Sequence, residues 1–405
     1  MKKQLLVSVT IFLLLILGTT IVVLYGKGYR FWFEKGRPDI SGTGLLVVTS
    51  VPDGAQVFID DHLTTATDST INLSPGQYSV RIYKDGYFPW QKKIEIQKEV
   101  VIKIEASLFA VAPKLESITT TGVSMPILDP SRSKIAYTVA SGSARKNGIY
   151  ILDLAARSIL TLQSSSTQIA DDTSDLFSNA NSSWSPDGKE LIASISSTLR
   201  RPIYYLLDSS DFNTIPKDIT ATLSSILANW NSIKAEKDAA RENALKPQLE
   251  KVLAENFSVI EWSPDETKIL YTASQSATIP IIIKPPLIGA NQTKEERDIK
   301  KDAVYVYDIK EDKNFKLFDA LPNYTLYARR YTLPLNWMSN SSHLLFVKDK
   351  KIHIVEYDGE NDTIVYAGPF LEKYVFPSTN ESKIVIVTDL GNPDISPNLY
   401  TLELK

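Results

Sequence analysis

The side chains that most often bind metals or act as nucleophiles are scarce in this chain of 405 residues. It contains no cysteine, which excludes disulfides, thiolate nucleophiles and every zinc site built on cysteine. Its only three histidines are far apart, and two of them fall on predicted strands: His62, His343 and His353. A histidine metal site needs several imidazoles close together, so we interpret all three as ordinary strand histidines. The sequence therefore predicts no metal site and no cofactor.

Acidic side chains occur in two patterns that could bind a cation or a sugar. Asp171, Asp172 and Asp175 lie in a segment rich in serine, threonine and asparagine, but the calcium-loop pattern D-x-[DN]-x-[DN]-G is absent. A second set ends five predicted strands: Asp153, Asp208, Asp308, Glu356 and Glu403. We interpret this second set as turn residues at strand ends. The alternative is a ring of acids around a channel.

The sequence contains no motif for a catalytic site. The G-x-S-x-G nucleophile elbow, the P-loop and the G-x-G-x-x-G fingerprint are all absent. A glycosidase stays open as an alternative, because 47 acidic residues always offer carboxylate pairs. The formal net charge of -3 provides no basic excess to neutralise phosphates, which argues against a nucleic-acid partner. We predict no catalytic residue and a protein that is not an enzyme.

The N-terminus has the composition of a membrane anchor. Between Lys3 and Lys27 lie 23 uncharged residues, and a helix of about 20 apolar residues crosses a bilayer core. No A-x-A cleavage pattern follows, so we predict a tail over 1–4, an uncleaved transmembrane signal-anchor helix over 5–25 and a linker over 26–43. Basic residues flank both sides of the run, and the positive-inside rule mildly opposes an inside N-terminus. Because long domains translocate largely regardless of charge, we still predict a single-pass protein with its body outside the cytoplasm.

Residues 44–107 have the alternation and the turn signals of a small β-sandwich of five short strands. The stretch Leu46–Asp60, LVVTSVPDGAQVFID, resembles the opening of a PEGA domain, and Leu73–Tyr78 and Lys84–Tyr87 resemble its second and third signatures. The resemblance implies a binding or spacer module of bacterial and archaeal envelope proteins, without catalytic residues.

One hairpin departs from the PEGA pattern. The family often has a glycine after the aspartate and a Gly-x-Thr-Pro sequence before the middle strand. This chain has Asp61-His62 and Ala66-Thr67-Asp68 at these places. We therefore expect the tip of this hairpin to differ.

The remainder, 108–405, contains an internal repeat. Each copy has a turn, an apolar strand and a second strand that ends in an acid. The turn is clearest at Trp184–Lys189 and Trp262–Asp265, where Ser-Pro-Asp fits a type I turn and the tryptophan can bury its ring between units. The five copies have these residues at their turns: Leu128, Trp184, Trp262, Trp337 and Phe376.

Strand pairs of this kind cannot cover their own faces, so they stack radially. The repeat resembles the β-propellers of the TolB-like and WD40-like classes. We predict a mainly β protein whose C-terminal part is a propeller of five to six blades. A sixth blade could be completed by 108–125 or by 313–331.

Residues 217–256 interrupt the propeller with apolar residues at helical spacing, and a proline divides the run. We predict a helical hairpin inserted between blades. Leu223, Leu227 and Trp230 lie on its apolar stripe and are our candidate partner-binding residues. Either the second helix and the apolar loop 279–288 cover this stripe, or part of it stays open for a partner.

These features together predict a non-enzymatic, membrane-anchored protein of the cell envelope. The PEGA-like module lifts the propeller off the membrane, and the two modules bind a protein or a glycan. Two alternatives stay open. One is a propeller-type carbohydrate-active enzyme or peptidase with an unrecognised site, and the other is a membrane scaffold that faces the cytoplasm.

Overall fold

The computed structural model describes residues 2–26, 29–34, 37–154, 166–197, 200–321 and 335–405. The chain divides into two compact units. Unit one comprises Met1–Phe109 and Ile283–Lys294, and unit two comprises Ala110–Ile282 and Glu295–Lys405. A segment of the second half of the chain therefore folds with the N-terminal unit.

Unit one begins with helix α1, Lys2–Gly26, which contains the apolar run of the N-terminus. Among the described residues, no helix has the length and apolar character of a membrane span. The transmembrane helix predicted over 5–25 is therefore not confirmed. Strands β1 (Tyr29–Glu34) and β2 (Arg37–Gly42) follow and pair antiparallel. The predicted linker over 26–43 therefore contains a hairpin, whose first strand is rich in aromatic residues that favour extended backbone.

A β-sandwich occupies the range predicted for it, with seven strands instead of the five expected. Its strands are β3 (Gly44–Val51), β4 (Gln56–Ile59), β5 (His62–Ala66), β6 (Ser69–Leu73), β7 (Gly76–Tyr83), β8 (Trp90–Ile96) and β9 (Val101–Ser107). One sheet has the order β6-β3-β9, with β3 and β9 parallel, and the other has the order β5-β4-β7-β8. Apolar residues of alternating positions, such as Leu46 and Val48 on β3, fill the core between the two sheets.

The hairpin tip between β4 and β5 departs from the PEGA pattern as expected. Asp60 and Asp61 have φ angles of 48° and 63°, in the left-handed region. Aspartate tolerates this region better than most residues, so the tip forms without a glycine.

Unit two contains five four-stranded antiparallel sheets among its described residues. Blade one contains β11 (Ser124–Leu128), β12 (Lys134–Val139), β13 (Gly148–Asp153) and β14 (Ser166–Asp171), and blade two contains β15 (Asn181–Trp184), β16 (Glu190–Ser197), β17 (Arg200–Asp208) and β18 (Lys217–Asp218). Blade three contains β19 (Phe257–Trp262), β20 (Lys268–Ala273), β23 (Val304–Asp308) and β24 (Lys313–Phe318). Blade four contains β25 (Leu335–Trp337), β26 (His343–Lys348), β27 (Lys351–Glu356) and β28 (Thr363–Tyr366). A two-stranded sheet, β21 (Ala277–Thr278) with β22 (Asp298–Ile299), is inserted in the third blade. Each blade runs in chain order from its first to its last strand.

The fifth blade joins the two ends of unit two. It contains β29 (Val375–Pro377), β30 (Lys383–Thr388) and β31 (Asn398–Glu403), and β10 (Lys114–Ser117) pairs with β31 as the fourth strand. Of the two segments considered for a sixth blade, 108–125 supplies β10 and the start of blade one, and 313–318 supplies β24 of blade three, while 322–331 lie outside the described residues. The described residues form a five-bladed propeller closed by its own N-terminal strand.

Two helices occur inside the predicted insertion 217–256. Helix α2 spans Leu223–Asn243, and α3 spans Pro247–Asn256 with the proline at its first turn. Such a position suits proline, because the first turn lacks partners for its N–H groups. The sequence therefore predicted the two helices and the break between them, but α2 packs on blade two and α3 on blade three, which differs from the predicted hairpin.

The two helices pack on blades two and three. Alternate residues of β16 point to opposite sides: Leu191 packs toward blade one, while Ile192 packs against α2. In blade three, Ile269 packs against α3, while Leu270 packs toward blade four. Each helix thus covers the blade face that has no neighbouring blade.

Candidate partner-binding surface

The structure brings two of the three predicted binding residues together against blade two. Trp230 is only 8% exposed and packs with Ile192 and Ile219. Leu223 is half-buried in the same cluster. Leu227 lies beside them but is 40% exposed. The cover for the stripe is the face of blade two, and not the second helix and the loop 279–288 as we considered from sequence.

An open surface remains on α2 beyond Trp230. Every residue from Asn231 to Lys237 is exposed, and Ile233 is 42% exposed. Leu227 and Ile233 flank the buried stripe on its two sides, because they lie about 60° either side of its centre on a helix of 3.6 residues per turn. We call Leu227 together with the exposed residues 231–237 the α2 surface.

The far end of α2 is held on blade three. Arg241 pairs with Glu266 at 2.7 Å, and its guanidinium lies 5.9 Å from the centre of the Trp262 ring. Arg241 also contacts Asp238 at 3.4 Å, one turn earlier on the helix. The helix is therefore fixed at both ends, and the α2 surface between them is presented on a rigid support.

A buried ion pair joins blades that are not neighbours in the ring. Arg132, in the turn between β11 and β12, pairs with Glu261 on the inner strand β19 of blade three. The backbone N–H of Trp337, on the inner strand of blade four, donates to the same carboxylate at 3.4 Å. Burial raises the pKa of Glu261, although Arg132 opposes this shift. The pair links the inner parts of blades one, three and four.

Two of the acids that end predicted strands, Asp208 and Asp308, bond within their own turns and blades. Asp208 accepts hydrogen bonds from the Ser210 N–H at 2.7 Å and from its hydroxyl. Asp308 accepts from the Glu311 N–H at 2.9 Å and lies 3.8 Å from Lys268 Nζ. These contacts agree with the interpretation as turn residues.

The other polar candidates also have local partners. Asp171 accepts from the Thr173 N–H, and Asp172 from the Ser178 N–H. His343 and His353 lie on β26 and β27, where their Nδ1 atoms are each 2.9 Å from a neighbouring side chain, Asn340 and Asp362 respectively. His62 lies on β5. Within the described ranges, no three histidines or acids come together in a way that could hold a metal ion.

A buried threonine, Thr67, forms hydrogen bonds inside the sandwich close to the hairpin of β4 and β5. The Thr67 hydroxyl accepts from the Ala55 N–H at 2.9 Å and lies 2.8 Å from the Ser50 hydroxyl. Ser50 in turn donates to the Pro52 carbonyl at 2.7 Å. These bonds connect Thr67 with the turn that follows β3.

The comparison with family models agrees with this geometry. Residues 43–110 match the PEGA domain. The bounds differ from the predicted 44–107 by a few residues, and the predicted resemblance is confirmed. No relative among the curated proteins matches the sequence.

Several solved structures resemble the chain. Among them are two TolB proteins and the β-propeller domain of a protease. A putative TolB from Agrobacterium tumefaciens has 13% sequence identity over 73% of this chain and 92% of that chain, with a TM-score of 0.22. TolB from Acinetobacter baumannii has 15% identity over 81% of this chain and 61% of that chain, with a TM-score of 0.22. The β-propeller domain of the Trilobed protease from Pyrococcus furiosus has 12% identity over 91% of this chain and 97% of that chain, with a TM-score of 0.20.

These scores are too low to support an argument about activity. The propeller assignment rests on the five sheets and on the closing pair of β10 and β31. The PEGA domain and the propeller together confirm the resemblance drawn from the sequence motifs.

The turn between β19 and β20 in blade three contains Asp265, whose contribution to stability can be tested. Burial alone would raise the pKa of Asp265, but hydrogen bonds from the Ser263 hydroxyl and from the Thr267 N–H and hydroxyl hold it at about 2. We expect Asp265→Asn to lower the free energy of unfolding by about 1 kcal/mol at pH 7, the usual net value of such hydrogen bonds.

The pH dependence follows from the direction of this shift. The folded pKa lies below the usual unfolded value of about 3.9, so the carboxylate contributes stability above about pH 4 and loses it as the pH falls toward 2. Urea unfolding at pH 7 and pH 3 measures this contribution. The exposed Asp349, changed to asparagine, is the matched control and should cost little stability. An equal loss for Asp265→Asn at both pH values would contradict the prediction.

Proposed function

We propose that this protein is a non-enzymatic, membrane-anchored component of the cell envelope that binds a partner through its propeller. The observation that carries the proposal is the α2 surface. Filling the gap between two blades requires only the buried stripe at Leu223 and Trp230 and the apolar face of α3. The exposed turns after Trp230 extend beyond that need and carry Ile233, while the other large apolar residue of the α2 surface, Leu227, lies one turn before Trp230 and is also exposed.

The chemistry of this surface fits a protein partner better than a glycan. Apolar residues beside charged ones, on a helix fixed at both ends, suit a partner helix or an apolar segment. The charges come from Lys234, Glu236 and Lys237, which lie among the exposed turns. Few residues carry most of the binding energy in interfaces of this kind, and large apolar side chains are the usual carriers.

Membrane anchoring is the second part of the proposal. The uncharged run between Lys3 and Lys27 supports it, and α1 covers this run as one helix. In this proposal the helix remains in the mature protein, crosses the membrane once and leaves the body outside the cytoplasm. The PEGA domain, which follows the helix in sequence, serves as the spacer.

Protease protection on intact cells or spheroplasts tests the anchor and its orientation. We expect the propeller to be digested from outside while the N-terminal helix remains in the membrane fraction. A mature N-terminus beyond residue 25, found by mass spectrometry, would exclude the anchor. A propeller protected until the cells are lysed would favour the cytoplasm-facing scaffold instead.

A capture experiment tests the binding surface. Leu227→Asp and Ile233→Asp should each reduce cross-linking to the envelope partner about tenfold or more, which corresponds to about 1.4 kcal/mol, because each places a charge in an apolar contact. Ile215 is 90% exposed outside α2, so Ile215→Asp makes the same chemical change elsewhere and should leave cross-linking intact. All three variants should unfold like the unchanged protein, since these side chains are exposed. Equal cross-linking by all of them would reject α2 as the binding surface.

A further inference from the structure

The Gln292 side chain lies against the outer strand of one sheet of the PEGA domain. Strand β8 is the last strand of its sheet, with β7 on its other side. The Gln292 side chain, 197 positions away in sequence, bonds to both backbone groups of Glu95 on this strand. Its Nε2 donates to the Glu95 carbonyl at 2.8 Å, and its Oε1 accepts from the Glu95 N–H.

The chemistry of this contact is that of strand pairing. An outer strand presents unpaired N–H and C=O groups, which are a template for the strand of another chain. A glutamine amide carries one carbonyl acceptor and an NH₂ donor, the same two functions as a peptide group. Gln292 therefore satisfies at Glu95 the two bonds that a neighbouring strand would make.

The segment around Gln292 is positioned by its own turns and by unit one. The Thr293 N–H donates to Asn291 Oδ1 at 3.0 Å, which curls the backbone around Gln292. Gly289 has a φ of 77°, and a side chain there would bring its Cβ within 3.2 Å of the Val101 carbonyl at the start of β9. Glycine is thus needed both for the backbone conformation and for the close approach.

Polar groups, and not apolar burial, hold this segment near Gln292. Leu287 and Ile288, the large apolar residues that precede Gly289, are both exposed. A segment that docked by the hydrophobic effect would bury them first. The specific element of the contact is therefore the pair of bonds at Glu95.

We propose that residues 283–294 are an edge guard of the PEGA domain, in which Gln292 takes the place of a pairing strand on β8. The occupant of this edge is a segment of the same chain, and what it excludes is an extended strand from a second copy. This role is independent of the partner proposed for the α2 surface. It gives the chain its own means of preventing strand addition at an exposed edge.

Amide hydrogen exchange on the full-length protein in detergent micelles tests the guard. Gln292→Met keeps the size of the side chain but removes both polar groups. We expect the Glu95 amide to exchange about tenfold faster, since its protecting bond is lost. We also expect the variant to form dimers or larger species at concentrations where the unchanged chain is monomeric in sedimentation.

The control makes the same change at a glutamine with a similar role. The Gln168 side chain donates to two backbone carbonyls of blade one, those of Arg145 and Asn147. Gln168→Met should leave the Glu95 exchange rate and the sedimentation unchanged. An unchanged Glu95 rate in Gln292→Met would overturn the contact, and a faster rate without self-association would overturn the guarding role.

Discussion

Replacing Trp337 with alanine is expected to lower the free energy of unfolding by about 3–5 kcal/mol, the range for a large aromatic residue in a core. The Trp337 side chain is fully buried, at 0% exposure. It packs with Leu270 and Val304 of blade three as well as with Leu344 of its own blade. Its loss therefore leaves a cavity at the boundary between two blades, which urea or thermal unfolding would measure.

Trp184 provides the comparison, because it occupies the equivalent position in blade two. The residue after each tryptophan donates its N–H across the turn in the same way, Ser185 to Glu190 and Met338 to His343. Trp184 is only half-buried, and its indole N–H donates to the Ile127 carbonyl of blade one at 3.3 Å. We expect Trp184→Ala to cost clearly less than Trp337→Ala. Equal losses, or a loss below about 0.5 kcal/mol for Trp337→Ala, would show that burial between blades does not set the cost.

The sequence was informative where local chemistry determines structure. The tryptophan and Ser-Pro-Asp turns at Trp184 and Trp262 identified the inner ends of two blades, because the turn needs only nearby residues. The acids Asp208 and Asp308 were placed correctly for the same reason. The PEGA domain was recognised because its signatures are also turns and alternating strands.

Contacts between residues that are far apart in the chain could not be predicted from the sequence. Strand β10 reads Lys-Leu-Glu-Ser, with a single large apolar residue, and becomes a strand because β31 pairs with it about 280 residues later. That pairing completes the fifth four-stranded sheet of the described residues, where the repeat alone left five to six blades. The Gln292 bonds to Glu95 join residues that are 197 positions apart and left no signal in either segment.

The binding candidates show the same limit on a helix. Helical spacing identified Leu223, Leu227 and Trp230 as one stripe, but spacing does not tell which edge of a stripe faces a neighbouring sheet. The face of blade two covers Trp230 and leaves Leu227 open. Ile233 was part of the same periodic run and was omitted from the candidates, although its position opposite Leu227 across the stripe was already visible in the spacing.

The ion pair between Arg132 and Glu261 leads to the second large expected effect. Arg132→Met should lower the free energy of unfolding by about 3 kcal/mol at pH 7, because it leaves the Glu261 carboxylate without its cation in a poorly solvated place. The side chains of Arg132 and Glu261 are 15% and 21% exposed, so we expect a loss at the lower end of the range found when a buried ion pair is broken. Arg145 is an exposed arginine in the same blade, and Arg145→Met should have little effect.

The pH dependence and a double variant separate charge from packing. The pKa of Glu261 is already raised above its usual 4.5 by burial, and removal of Arg132 should raise it further. A carboxyl of this kind favours the folded state when protonated, so the loss in Arg132→Met should be largest at pH 7 and shrink as the pH falls through the raised pKa. The double variant Arg132→Met, Glu261→Leu should recover most of the lost stability, because it buries no unpaired charge. A loss that is the same at pH 7 and pH 4.5 and persists in the double variant would mean that Arg132 acts by packing, and that the blades do not depend on this charge pair.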